Sequence, residues 1–105
     1  MVQISPEFEK AQKESRQLVS KPENDDLLEI YGLFKVGNGE DIEKAAKPGL
    51  FDMKGKFKQT AWQKLVDEGV TPEQAQERYV KKVEEMKEKY GFDPNKEPEA
   101  VASRG

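Results

Sequence analysis

The sequence predicts an all-α protein, an up-down bundle of four helices. Two observations carry this prediction. Apolar residues recur at spacings of three and four in four separate segments, each bounded by capping or helix-breaking residues. No segment alternates apolar and polar residues at a spacing of two, and the sequence has no internal repeat. Leu, Ile, Val and Phe number 22 of 105 residues, enough for a small core and little more. Short amphipathic helices of this kind bury their stripes by packing on one another.

Ser5-Pro6-Glu7 opens the first helix, with Ser as N-cap, Pro at the first helical position and an acid at the positive end of the dipole. Phe8, Ala11, Ser15, Leu18 and Val19 form its stripe, and Pro22 ends the unit. The second helix starts at Asn24 or Asp25, either of which caps well. Leu27, Leu28, Ile30, Tyr31, Leu33 and Phe34 give it the widest apolar face of the four, which predicts a central place. Gly37 is its expected C-terminal stop. The longest connection, 37–53, turns at Pro48-Gly49, and its Ile42, Leu50 and Phe51 are expected to pack down on the bundle. The third helix runs from about Lys54 to Val66, with Phe57, Ala61 and Leu65 on one face and Trp62 and Val66 beside them. Thr71-Pro72-Glu73-Gln74 is a capping box that opens the fourth helix. Ala75, Tyr79, Val83, Met86 and Tyr90 line its buried face, and Gly91 stops it. Residues 1–91 are thus expected to form the domain, and 92–105, with Pro, Glu and Lys and few large apolar residues, a disordered tail.

Composition excludes several kinds of chemistry. The sequence has neither Cys nor His, so disulfides, thiolate nucleophiles, the usual zinc ligands and the His-containing triads are absent. Catalysis would have to rest on Lys, Tyr or carboxylates, and no isolated pair of carboxylates sits in an apolar setting; no catalytic residue and no metal site are assigned. Apolar runs are too short to span a bilayer, and the N-terminus lacks the basic-then-apolar pattern of a signal peptide. A soluble cytoplasmic protein is expected.

The charge pattern points to a ligand. The chain has 18 basic and 21 acidic residues, a net charge of −3, yet between Lys44 and Val66 six Lys face only Asp52. Lys54, Lys58 and Trp62 share a helix face at intervals of four, and Tyr31 and Lys35 repeat the pairing on the second helix. An aromatic ring beside an ammonium suits a phosphorylated aromatic ligand such as a nucleotide: the ring stacks on the base and the ammonium pairs with phosphate. The same features also fit a solvated charged face over core aromatics. A helical protein-interaction module, a nucleic-acid binder using the Lys-rich helix and an enzyme are the competing classes, and a pI of about 5.1 argues against the second.

The order of residues is more specific than any of these features. Phe8-x-x-Ala11, then Lys21-Pro22 with Leu27-Leu28-x-Ile30-Tyr31-x-x-Phe34-Lys35, then Pro48-Gly49-x-x-Asp52-x-Lys54-Gly55-Lys56-x-Lys58-x-x-Ala61-Trp62, and finally Tyr79-x-x-x-Val83-x-x-x-Lys87-x-x-Tyr90-Gly91 appear in sequence. Over about residues 6–91 this resembles the acyl-CoA-binding protein family, small four-helix carriers of fatty-acyl-CoA esters. The resemblance implies a non-catalytic intracellular carrier and pool former in lipid metabolism. It would bind medium- to long-chain acyl-CoA with no cofactor, act as a monomer and take no nucleic acid. It would not insert stably into membranes, and its contacts with acyl-CoA-using enzymes or membranes would be transient.

The resemblance also implies roles for particular residues. Tyr31 and Lys35 would hold the adenine and 3′-phosphate, Lys58 would bind the same phosphate with Lys54 close by, and Tyr79 would contact the adenosine. Phe34 keeps the ring where the family commonly has Tyr, and Arg16, where Lys is usual, would reach the pyrophosphate side. The acyl chain would lie over the second and third helices near Leu28 and Phe57. Gln59 stands where a Trp is common, Phe57 is bulkier than the Ala often found there, and the loop between Lys35 and Pro48 is one residue longer than in the family.

Overall fold

The computed structural model describes residues 2–96. It contains α1 (Pro6–Glu14), α2 (Asn24–Gly37), a 3-10 turn at Ile42–Lys44, α3 (Met53–Asp67) and α4 (Pro72–Tyr90), with no strand among the described residues. α2 lies between α3 and α4, and α1 packs on the outside of α4. The result is a slab of 37 × 32 × 19 Å, two helix diameters thick. No helix among the described residues is long and apolar enough to cross a membrane.

The helix starts follow the caps in the sequence. The Ser5 side chain accepts from the Phe8 N–H at 3.1 Å. Thr71 and Gln74 satisfy each other's backbone N–H groups at 3.1 and 3.0 Å, completing the capping box. α2 differs: its N-cap is Glu23, whose N–H is met by the Tyr90 hydroxyl at 3.0 Å, so Asn24 and Asp25 are first-turn residues. Gly37 is still helical; α2 is capped by Asn38 and turns at Gly39 with φ 72°.

Phe8, Leu33, Trp62, Tyr79 and Val83 anchor the main core, and Leu18, Met86 and Tyr90 form a second cluster bridged to it by Ile30. The buried Gln76 amide ties three segments together. It donates to the carbonyls of Gln3 and Gly37 at 2.8 and 2.9 Å and accepts from the Ser5 N–H at 3.1 Å.

The apolar stripe of α1 outlasts its helix, which ends at Glu14. Beyond it Leu18 forms an isolated antiparallel bridge with Phe92, and the N–H groups of Val19 and Ser20 donate to Gly91 and Tyr90. Leu18 is therefore buried by an extended chain and Val19 is exposed, because the polypeptide after α4 offers backbone partners that a longer α1 would forgo. That segment stays attached past the expected boundary at Gly91. The Gln17 side-chain amide donates to the carbonyls of Pro94 and Lys96 at 3.1 and 2.9 Å, and the Lys96 ammonium to that of Leu18 at 2.8 Å. Of the tail expected at 92–105, residues 97–105 lie outside the described residues. In the 37–53 connection only Ile42 packs down as expected; Leu50 and Phe51 face solvent, Phe51 at 91 % exposure.

Asp26 is buried between α2 and α4. Its carboxylate pairs with Lys82 at 2.9 Å and Lys89 at 3.1 Å and accepts from the Tyr90 hydroxyl. The Lys82 hydrogen bond, then those from Tyr90 and Lys89, hold its carboxyl well below the usual range against the opposing effect of burial. A lowered folded pKa stabilises the protein above the unfolded value of about 3.9, and that stability is lost as pH falls through the folded value. Asp26→Asn should cost about 1–3 kcal/mol at pH 7. It should also flatten the decline in stability below about pH 4, as read by urea unfolding across pH 2–7.

Candidate functional site

The site grows from the seam between α2 and α3. A Cβ on Gly32 would stand 2.9 Å from the Leu65 side chain and 3.1 Å from the Ala61 carbonyl, so glycine lets the helices approach without either having to give. The neighbours of Gly32 on α2 thereby meet the face of α3 that carries Lys58 and Trp62. α3 begins at Asp52, whose carboxylate caps the Gly55 N–H at 2.9 Å. A Cβ on Gly55 would lie 2.3 Å from that carboxylate, so a side chain there would displace the cap. The Asp52-x-x-Gly55 spacing thus fixes where α3 starts and sets the register of Lys54, Lys58 and Trp62.

At the seam the Tyr31 ring is flanked by two ammonium groups, Lys58 at 5.4 Å and Lys35 at 5.7 Å from its centroid. Lys35 also lies 5.6 Å from the Trp62 ring. Tyr31 and Lys35 are half-buried and Trp62 is 2 % exposed. Lys58 is pushed below the usual lysine range, first by partial burial and then by repulsion from Lys54 and Lys35, with Asp52 opposing. Three lysines are thus close enough to feel one another beside two rings, an arrangement that attracts a multiply charged anion carrying a flat group.

Among the other expected residues, Tyr79 is core: it packs edge-on against Phe8 at 5.1 Å, and its hydroxyl bonds to Ser15 Oγ at 3.3 Å. Burial raises its pKa. Phe34 is half-buried against the same core. Arg16 follows Ser15 in the connection after α1 and is half-buried. Leu28 is half-buried on α2, while Phe57 is 55 % exposed on α3. Leu50, Phe51 and Met53 are also exposed, so four large apolar side chains line the first part of α3 and the turn before it.

Trp62 was legible as a neighbour of Lys54 and Lys58 on the helix wheel, but not as the floor beneath Lys35, which depends on the tertiary seam. Its indole N–H is buried without a partner among the described residues, a cost of about 1–3 kcal/mol. Glu40 was not legible as part of the site at all. Its carboxylate meets the Lys35 ammonium at 3.0 Å.

Because Lys54 holds the Lys58 pKa down and Asp52 holds it up, Lys54→Met should raise it. Asp52→Asn, which keeps a capping side chain, should lower it. Side-chain NMR titration of Lys58 reads both; a fall with Lys54→Met or a rise with Asp52→Asn would contradict the clustering.

Comparisons with known proteins identify the family and the fold. The family described as "Acyl CoA binding protein" matches residues 5–83. An acyl-CoA-binding protein homolog of Manduca sexta is 42% identical over 83 residues, covering 79% of this chain and 90% of that protein. Acyl-CoA-binding protein homolog 1 of Caenorhabditis elegans is 43% identical over 84 residues, covering 80% and 94%. The crystal structure of Oryza sativa acyl-CoA-binding protein 2 superposes with a TM-score of 0.70 at 30% identity, covering 83% of this chain and 93% of that one. With its four helices, its α2–α3 seam and these relatives, the chain belongs to the acyl-CoA-binding protein family.

Proposed function

We propose that this protein binds medium- to long-chain fatty acyl-CoA esters one to one and carries them in the cytoplasm as a monomer, without catalysing a reaction on them. The observation that carries this reading is the cluster of Tyr31, Lys35, Lys58 and Trp62 at the seam of a chain in this family. Tyr31 stacks on the adenine, Lys35 and Lys58 hold the 3′-phosphate, and Lys54 adds charge beside them. Arg16 serves the pyrophosphate. Tyr79 and Phe34 support the adenosine end, Tyr79 from within the core. The acyl chain lies along α2 and α3 past Leu28 and Phe57. The exposed rim of Leu50, Phe51 and Met53, with Lys47, Lys54 and Lys56 around it in sequence, suits brief contact with a membrane or an acyl-CoA-using enzyme at loading and release.

Magnitudes assign the parts of the ligand different tasks. A 16-carbon chain has about 14 methylenes, each worth roughly 0.8 kcal/mol if fully buried, an upper bound near 11 kcal/mol. Lysine–phosphate pairs give about 0.2–1 kcal/mol each where exposed, by analogy with surface ion pairs, and more where half-buried as Lys35 and Lys58 are. The chain therefore dominates affinity and the head group supplies selectivity, although much of the burial gain is offset by ordering the ligand.

Calorimetry at about 0.15 M salt should give nanomolar binding of palmitoyl-CoA and micromolar or weaker binding of CoA, a gap of roughly 4 kcal/mol. Palmitate should bind far more weakly than the ester. Tyr31→Ala should weaken the ester by about 1–3 kcal/mol through lost stacking. Absence of any palmitoyl-CoA binding would overturn the reading and leave a helical interaction module. Phe57→Ala should move the chain-length optimum towards longer or bulkier acyl groups; an unchanged profile would remove Phe57 from the groove.

A further inference from the structure

The Lys35 ammonium is already occupied. Glu40 Oε1 stands 3.0 Å from it, nearer than the rings of Tyr31 and Trp62, whose centroids lie at 5.7 and 5.6 Å. This contact is built into the end of α2. The Gly39 N–H donates to the Val36 carbonyl at 2.9 Å and the Glu40 N–H to the Lys35 carbonyl at 3.2 Å, with Gly39 at φ 72°. That is a Schellman cap, in which the second residue beyond the cap always falls beside the third residue from the helix end. Here those two residues are Glu40 and Lys35. The usual apolar contact at this place is replaced by an ion pair, and an acid beyond a helix C-terminus gains nothing from the dipole.

We propose that Glu40 is a specificity-determining residue: an internal competitor that holds Lys35 in the empty protein and yields it to the ligand's 3′-phosphate. This rests on the head-group reading above. The Glu40 side chain is 42 % exposed although that of Lys35 is only 17 % exposed, so water reaches the pair from the Glu40 side and it can open. A phosphomonoester brings nearly two negative charges at neutral pH against the single charge of a carboxylate, so it displaces Glu40. Glu40 thereby lowers head-group affinity and offers Lys35 a partner as the ligand leaves, which suits a protein that must release what it carries.

The test is calorimetry on the full chain with CoA, dephospho-CoA and palmitoyl-CoA, comparing wild type with Glu40→Gln, which keeps the size of the side chain and the backbone cap. The variant should bind CoA and palmitoyl-CoA about three- to tenfold more tightly and dephospho-CoA within twofold of wild type. In a Lys35→Ala background Glu40→Gln should have no effect, because the two residues act on one contact. Unchanged or weaker CoA binding, equal tightening of dephospho-CoA, or tightening that persists without Lys35 would each overturn the proposal. If wild type binds none of the three ligands, the head-group reading itself fails and this proposal with it.

Discussion

The close approach of α2 and α3 at Gly32 is the constraint on which the site depends. With no side chain at that position, the Ala61 carbonyl and Leu65 come within 3.1 Å of where a Cβ would be. A methyl group there would press on that carbonyl and on Leu65, so the seam that sets Tyr31 between Lys35 and Lys58 would have to give by a few tenths of an ångström. Trp62 fills the floor of the same seam, and its uncompensated N–H shows that local polar satisfaction has yielded to packing the cluster. Other contacts fix the helices that meet there: Asp52 sets the start of α3, while Gln76 and Asp26 tie the two ends of α2 to α4, Asp26 through Lys82, Lys89 and Tyr90.

Gathering lysines is unfavourable in the empty protein: Lys54 and Lys35 add to the burial that lowers the Lys58 pKa, against Asp52. The chain limits that cost in three ways. The ammonium groups lie over electron-rich ring faces. Glu40 neutralises one of them. The remainder of the sequence, outside residues 44–66, carries eight more acids than bases, so an overall acidic molecule presents one basic site.

How much of this was legible in the sequence depended on the range of the interaction. Thr71-Pro72-Glu73-Gln74 and Ser5-Pro6 announce helix starts because caps are local chemistry. The Tyr31/Lys35 and Lys54/Lys58/Trp62 pairings were legible because helical spacing places them on single faces, but that the two faces meet is a tertiary fact. Where periodicity misled, a distant partner intervened. Leu18 fits the α1 stripe yet pairs with Phe92, and Asn24 and Asp25 look like caps although the α2 start is satisfied by Tyr90 from the far end of the chain. Asp26 and Gln76 gave no sequence signal, because the groups they bond lie far along the chain: 63 and 64 residues away for Lys89 and Tyr90, and 39, 71 and 73 for Gly37, Ser5 and Gln3. Leu50 and Phe51 were expected to pack inward on their apolarity alone, and their exposure shows that apolar character does not say whether protein or something else provides the cover.

The most direct test of the central claim is an amide and indole NMR titration with a long-chain acyl-CoA. The account predicts slow exchange to a one-to-one complex. The largest shifts should fall on Tyr31, Lys35, Lys54, Lys58 and the Trp62 indole N–H, with little change at the solvent-facing residues of α4. A binding footprint centred on α4 or on the outer face of α1, with Tyr31 and Trp62 unmoved, would contradict it.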